Sequence, residues 1–185
     1  MMYVLDFYSI DLKYVRSLSK ADDKVMSISP QIGKEIRPFV GVVVLMNGKK
    51  YCIPLTSPKD KFKSRKSQVD FIKIYDEKCK NSDGCPKLIG ILNINNMIPV
   101  DSSVVTKFDL KLHGNDAVPV KKRKELMQNQ LRWCRKNSVT IQNRANKVYR
   151  LVTQLPEKNR NLTRRCCDFK KLEKILDKYL ESGRN

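Results

Sequence analysis

The chain has 185 residues, 41% of them hydrophobic, and carries 38 Lys and Arg against 19 Asp and Glu, a formal net charge of +19. This size suits one globular domain with a real core, and the charge excess marks a polyanion as partner, nucleic acid before an anionic membrane surface. The longest apolar run, FVGVVVLM at 39–46, is too short to span a bilayer, and MMYVLDFYSID lacks the basic and small-residue signature of a signal peptide, so a cytoplasmic protein is expected.

In chain order, MMYVLDFYSI alternates as an opening strand, and DLKYVRSLSKAD spaces Leu12, Val15 and Leu18 for a short helix. Asp22–Asp23 then turns the chain. RPFVGVVVLMNGKKYCIPLTS holds two apolar runs around Asn47–Gly48, the pattern of a β-hairpin. VDFIKIY at 69–75 and KLIGILNI at 87–94 predict two further strands. MIPVDSSVVTKFDL adds a strand or edge segment, with Pro99 arguing against a central one.

The character changes near Pro119. Met127, Leu131 and Cys134 form one helical stripe with Leu126 and Trp133 beside it. Ser138 reads as the N-cap of a second helix through Val148, Leu151 and Val152. Asp168 caps a last helix that buries Phe169, Leu172, Ile175, Leu176 and Tyr179. The expectation is an α+β domain over 1–185, strand-rich over 1–110, helical and basic over 119–181.

Most enzyme chemistries lack their residues. Neither G-x-x-x-x-G-K-[ST] nor G-x-G-x-x-G occurs. His113, in the loop-like KLHGND, is the sole histidine, which excludes a two-histidine ribonuclease within one chain. The six cysteines (52, 79, 85, 134, 166, 167) include no C-x-x-C, so neither zinc nor a disulfide framework is compelling. Cys79 and Cys85 flank CKNSDGC and are spaced to clip it, but free thiols are expected in a reducing compartment. With carboxylates so dispersed, no metal site and no cofactor are expected.

What remains is cations, hydroxyls and phenols. These suffice for RNA cleavage by its own 2′-OH, which needs in-line orientation, charge neutralisation at phosphorus and movement of two protons. YCIPLTSPKDKFKSRK at 51–66 concentrates such groups: a strand stops at Thr56, Ser57 and Pro58, and five cations follow within eight residues. Taken alone, Thr56–Ser57 is first a strand-end turn with its hydroxyls on backbone groups.

The stretch YCIPLTSPKDK, with DDKV and RPFVGVVV before it, FYSIDLKYVRSL at the start and LNINNMIPV after it, resembles the ToxN/AbiQ family of endoribonuclease toxins from type III toxin–antitoxin systems. The resemblance covers roughly the first hundred residues. It implies a strongly twisted antiparallel β-sheet core like that of MazF and Kid, with packed helices. It also implies metal-independent, sequence-preferring RNA cleavage to 2′,3′-cyclic phosphate and 5′-OH ends, inhibition by a repetitive structured RNA in a closed assembly, and a part in abortive infection against phage. By the same resemblance Thr56, Ser57 and Lys59 form the catalytic core with Arg37 as a second cation, and Tyr14 faces the groove. Many members carry a histidine or tryptophan where this chain reads KDKF, so general acid duty by histidine is excluded there. Lys59 or Lys61 takes its place.

Tyr8, Lys61, Lys63 and Arg65 join Tyr14 as expected RNA contacts. Between Lys121 and Arg150 ten cations face a single acid, Glu125, whereas a merely solvated helix face mixes signs. Lys121, Lys122, Arg123 and Lys124 are therefore expected on RNA phosphates. The rival reading is a non-catalytic nucleic-acid-binding regulator using the same surface. A protein-targeting toxin of the gyrase-poison kind is a third, which the positive charge disfavours.

Overall fold

A computed structural model describes residues 5–26, 39–44, 48–59, 62, 64, 66, 68–82 and 84–182. Arg37, Lys61, Lys63 and Arg65 lie outside the described residues, as does Asn47 of the expected hairpin. Among the described residues seven strands form one antiparallel sheet: β1 (Asp6–Ile10), β2 (Phe39–Val44), β3 (Lys50–Thr56), β4 (Phe71–Lys80), β5 (Pro86–Asn93), β6 (Ile98–Pro99) and β7 (Val105–Lys107). Their order is β4-β5-β3-β2-β1-β7.

Strand β3 is the junction. Its Tyr51 and Cys52 pair with Pro99 and Ile98 of β6, while its Leu55 and Thr56 pair with Leu92 and Ile91 of β5. A 3-10 turn at Ile94–Asn96 carries the chain from one half of this edge to the other. Gly48, between β2 and β3, takes φ 76°, a conformation that glycine adopts without steric cost. Pro99 sits in a strand of only two residues, consistent with its missing donor.

Among the described residues five α-helices pack on the sheet: α1 (Leu12–Ala21), α2 (Val118–Lys136), α3 (Ser138–Gln154), α4 (Arg160–Arg165) and α5 (Phe169–Ser182). The Asp11 carboxylate caps α1 by accepting from Tyr14 N at 2.8 Å. Asp168 caps α5 the same way, accepting from Lys171 N at 3.1 Å. The α2 stripe of Met127, Leu131 and Cys134 is buried, with Gln130 beside it, while Leu126 is exposed. Asn137 alone separates α2 from α3, and Ser138 is the first helical residue instead of the cap.

The buried stripe of α1 differs from the expected one. Tyr14, Val15 and Leu18 face inward, whereas Leu12 is 44% exposed. An i, i+1, i+4 stripe satisfies the helical period as well as i, i+3, i+6, and a phenol has more apolar area to bury than its polar tip suggests.

Two of the sequence stretches that carried the family resemblance act as staples. Asp22 of DDKV closes α1 and accepts from Lys24 N at 2.9 Å and from Asp168 N at 2.7 Å, tying the end of α1 to the start of α5. In LNINNMIPV, Asn95 Nδ2 donates to Arg165 O at 3.1 Å and Asn96 Nδ2 to Lys24 O at 2.7 Å. Backbone carbonyls outside any ladder find their donors this way.

One hydrophobic core runs from Leu5 to Leu176, and a polar knot joins three of its elements. Glu173 of α5, 6% exposed, accepts from Tyr51 Oη at 2.9 Å and from Tyr149 Oη at 2.8 Å, so β3, α3 and α5 share one carboxylate. Cys52, Cys134, Cys166 and Cys167 are buried free thiols, and Cys85 is exposed. Among the described residues no helix is long and apolar enough to cross a membrane.

Candidate active site

The predicted motif sits where β3 ends. Thr56 is the last strand residue and half-buried; Ser57 and Lys59 are exposed. Phe62 N donates to Lys59 O at 2.8 Å, and the Phe62 ring packs on Phe71 at 5.2 Å between centroids. The segment after the motif is thus anchored at the start of β4, which keeps Lys59 near the strand end.

Register places the neighbours. Thr56 lies opposite Ile91, and Ile91 opposite Lys73, so these three side chains share one face of the sheet. Asn93, two residues on from Ile91, shares it too. Its Nδ2 donates to Thr56 Oγ1 at 3.1 Å. On the other side Tyr8 pairs with Phe39, and Phe39 with Pro54, which puts half-buried Tyr8 on the Thr56 face, two strands or roughly 10 Å away. Burial, and then the Asp6 carboxylate, push the Tyr8 phenol above its ordinary value, so it stays protonated and able to donate at neutral pH.

Tyr14 does not belong to this surface. It is fully buried, its Oη donates to Pro99 O at 2.7 Å, and its ring meets Tyr179 at 5.2 Å. Burial drives its pKa far upward. The expectation that Tyr14 contacts RNA is corrected: it anchors α1 on β6 and leaves no face for a base to stack on.

Sequence reading missed Asn93, Lys73, Arg144 and Arg165. Lys73 is buried on the Thr56 face inside a stretch that reads only as an apolar strand. Arg144 of α3 donates through Nη1 to Gln68 O at 2.8 Å and to Phe71 O at 3.2 Å, and Arg165 Nε donates to Asp70 Oδ2 at 2.9 Å. These two helix cations fasten the chain as it returns from the motif to β4. Each pairs with a residue more than seventy positions away, so no local pattern announces them.

The basic run on α2 divides. Lys122 and Arg123 are exposed on its first turns. Lys124 Nζ instead binds Asp116 at 2.9 Å and Lys111 O at 2.8 Å, and Lys121 Nζ lies 3.4 Å from Gly114 O. These two lysines clamp the loop that precedes the helix, so Lys124 is corrected from a free phosphate contact to a loop anchor. Exposed His113 in that loop has its Nε2 2.8 Å from Asp109 Oδ2. Neutralising Lys122 and Arg123 together is expected to weaken RNA binding across sequences alike. Each lost phosphate contact should flatten the log–log salt slope by roughly 0.7–0.9. Binding titrations at several salt concentrations check this, and an unchanged slope would remove both side chains from the RNA-binding surface.

Among the described residues no three His, Cys, Asp or Glu side chains converge as metal ligands would. The arrangement offers two adjacent hydroxyls and the Lys59 ammonium at the end of β3, with the Tyr8 phenol on the same face two strands away. Groups of these kinds are chemically able to bind a phosphodiester and stabilise charge on it.

Comparison with known proteins points the same way. A family model described as "Toxin ToxN, type III toxin-antitoxin system" matches residues 6–177. The chain is 34% identical over 178 residues to an endoribonuclease ToxN of Bacillus thuringiensis subsp. kurstaki, covering 95% of this chain and 84% of that protein. It is 30% identical over 182 residues to the endoribonuclease ToxN of Pectobacterium atrosepticum, covering 97% and 95%. Among solved structures, a type III toxin described as selectively inhibited by a non-coding RNA pseudoknot superposes with TM-score 0.79 at 30% identity, covering 97% of this chain and 99% of that one. AbiQ, described as a lactococcal anti-phage endoribonuclease, superposes with TM-score 0.78 at 29% identity and the same coverage. The chain belongs to the ToxN/AbiQ family of endoribonuclease toxins of type III toxin–antitoxin systems.

Proposed function

We propose that this chain is a metal-independent, sequence-preferring endoribonuclease toxin, and that a repetitive structured RNA restrains it in a closed protein–RNA assembly. The observation that carries the reading is the Thr56–Ser57 pair of hydroxyls at the end of β3, one held by Asn93, beside exposed Lys59 in a chain of charge +19. The 2′-oxygen of the substrate attacks its adjacent phosphorus and loses its proton. The P–O5′ bond breaks, and the departing oxygen gains a proton, giving 2′,3′-cyclic phosphate and 5′-OH ends. Ser57 and Thr56 donate to the phosphoryl oxygens, while Lys59 and Arg37 neutralise the developing charge.

Tyr8 lines the rim on the Thr56 face, and Lys61, Lys63 and Arg65 follow the motif as backbone contacts. Lys122 and Arg123 extend the basic surface, where the long-range charge also favours RNA capture. We read residues 1–185 as one domain and its antiparallel sheet as the strongly twisted MazF/Kid type. Inhibition of the solved relative by an RNA pseudoknot supports an RNA partner here, and the anti-phage description of AbiQ supports a part in abortive infection.

Incubating the purified protein with naked RNA in EDTA tests the reading. Cleavage is expected to persist and to leave cyclic phosphate ends. Activity lost on chelation and restored by magnesium would contradict it, and tight binding without any cleavage would favour the regulator.

A further inference from the structure

We propose that Asn93 is a positioning residue that compels the Thr56 hydroxyl to act as a donor toward the phosphoryl group. The proposal rests on Thr56 belonging to the active site. Asn93 ends β5, is 9% exposed, and lies diagonally across from Thr56 on the same face. Its Nδ2 stands 3.1 Å from Thr56 Oγ1, 3.4 Å from Pro54 O and 3.4 Å from Ile91 O.

The two backbone carbonyls decide which way the carboxamide points. Both have only lone pairs to offer, so the atom facing them must carry hydrogen. A flipped amide would set Oδ1 against two carbonyl oxygens in a buried place, where unpaired acceptors are costly. Nitrogen therefore faces inward, with one hydrogen for Thr56 and the other shared between the carbonyls.

A threonine hydroxyl is normally ambivalent: it turns to donate or to accept as its surroundings ask. With Oγ1 already accepting from Asn93, the hydroxyl hydrogen is directed away from Asn93. Thr56 is half-buried at the strand end, so that hydrogen remains available to a group docking there. Phosphoryl oxygens gain negative charge as the 2′-oxygen attacks, and they require donors. A donor oriented before substrate arrives needs no reorganisation at the moment of reaction.

The same geometry explains why this position takes an amide. A carboxylate would oppose both carbonyls and draw the Thr56 hydrogen inward, turning a donor away from the substrate. An alanine would leave the hydroxyl free to rotate.

Steady-state cleavage of a short RNA by wild type, Asn93→Ala, Thr56→Val and the double variant tests the inference. Each single change is expected to lower kcat by about tenfold or more with little change in KM. The double variant should be no slower than Thr56→Val, because Asn93 acts only through that hydroxyl. A double variant slower by the full Asn93→Ala factor would overturn the proposal and leave Asn93 as a staple between β3 and β5. Thr56→Val at the wild-type rate would instead overturn the site assignment beneath it. Should Asn93→Ala fail to fold, the isosteric Asn93→Asp carries the test. Its kcat relative to wild type should rise as pH falls and the introduced carboxyl gains a proton to donate. A flat ratio across that titration, with unchanged circular dichroism, would overturn the proposal.

Discussion

Ser57→Ala is expected to slow RNA cleavage by on the order of a hundredfold or more while leaving the protein folded. Ser57 is exposed just beyond the end of β3, so removing its hydroxyl opens no cavity in the core and strands no buried partner. In the role proposed for it, Ser57 donates to an oxygen whose charge grows in the transition state, so the loss should fall on kcat more than on KM. Lys59→Ala should also slow cleavage strongly, by withdrawing a positive charge from the same end of the strand. Single-turnover assays on a short RNA, with thermal unfolding as the control for folding, check both. Wild-type rates for Ser57→Ala would reduce the motif to a strand-end turn.

Glu173→Ala is expected to have the largest effect on stability. Tyr51 and Tyr149 are both buried, and each directs its hydroxyl at Glu173 Oε1. Truncation removes the acceptor that both buried phenols share, at about 1–3 kcal/mol for each bond lost. At this chain length each kcal/mol shifts Tm by roughly 2–4 °C, so a drop of about 5–20 °C is expected in thermal unfolding.

The same carboxylate is expected to make the fold acid-sensitive. Burial on its own would raise the Glu173 carboxyl, but hydrogen bonds from Tyr149 and Tyr51 and the Lys170 ammonium outweigh it, leaving the group below its ordinary value of 4.5. A carboxyl depressed in the fold contributes stability above its unfolded value and loses it as pH drops through the folded one. Wild type should therefore lose this contribution progressively below about pH 4.5, and Glu173→Gln should lose less over the same interval. Parallel pH–Tm curves for the two proteins would contradict the assignment.

Much of the fold could be read from the chain because its strands and helices carry strong periodic patterns. The two runs around Asn47–Gly48 became β2 and β3, and VDFIKIY and KLIGILNI became the cores of β4 and β5. The resemblance set Tyr14 toward the groove; the helical period allows more than one buried stripe on α1, and only the partner, here Pro99 O, shows that this phenol lies inside. Lys124 was misplaced because a cation run does not reveal that Asp116 folds back onto one member of it.

The hydroxyl motif was legible as a local string. Its support was not. Asn93, Arg144 and Arg165 act through bonds spanning 37, 76 and 95 positions, and such pairs exist only once the sheet and helices have assembled. The stretch LNINNMIPV signalled a family without revealing that its asparagines are staples, because an asparagine looks alike in a loop and in a bonded corner.

A short RNA cut once by the wild-type protein, compared with the same RNA carrying a single 2′-deoxy sugar on the 5′ side of the cut, tests the central claim most directly. If the substrate's own 2′-oxygen is the nucleophile, the natural RNA should yield a 2′,3′-cyclic phosphate, and the deoxy bond should stay intact while the RNA still binds. Cleavage of the deoxy bond at a comparable rate would show that water or a side chain attacks instead, and would contradict the account.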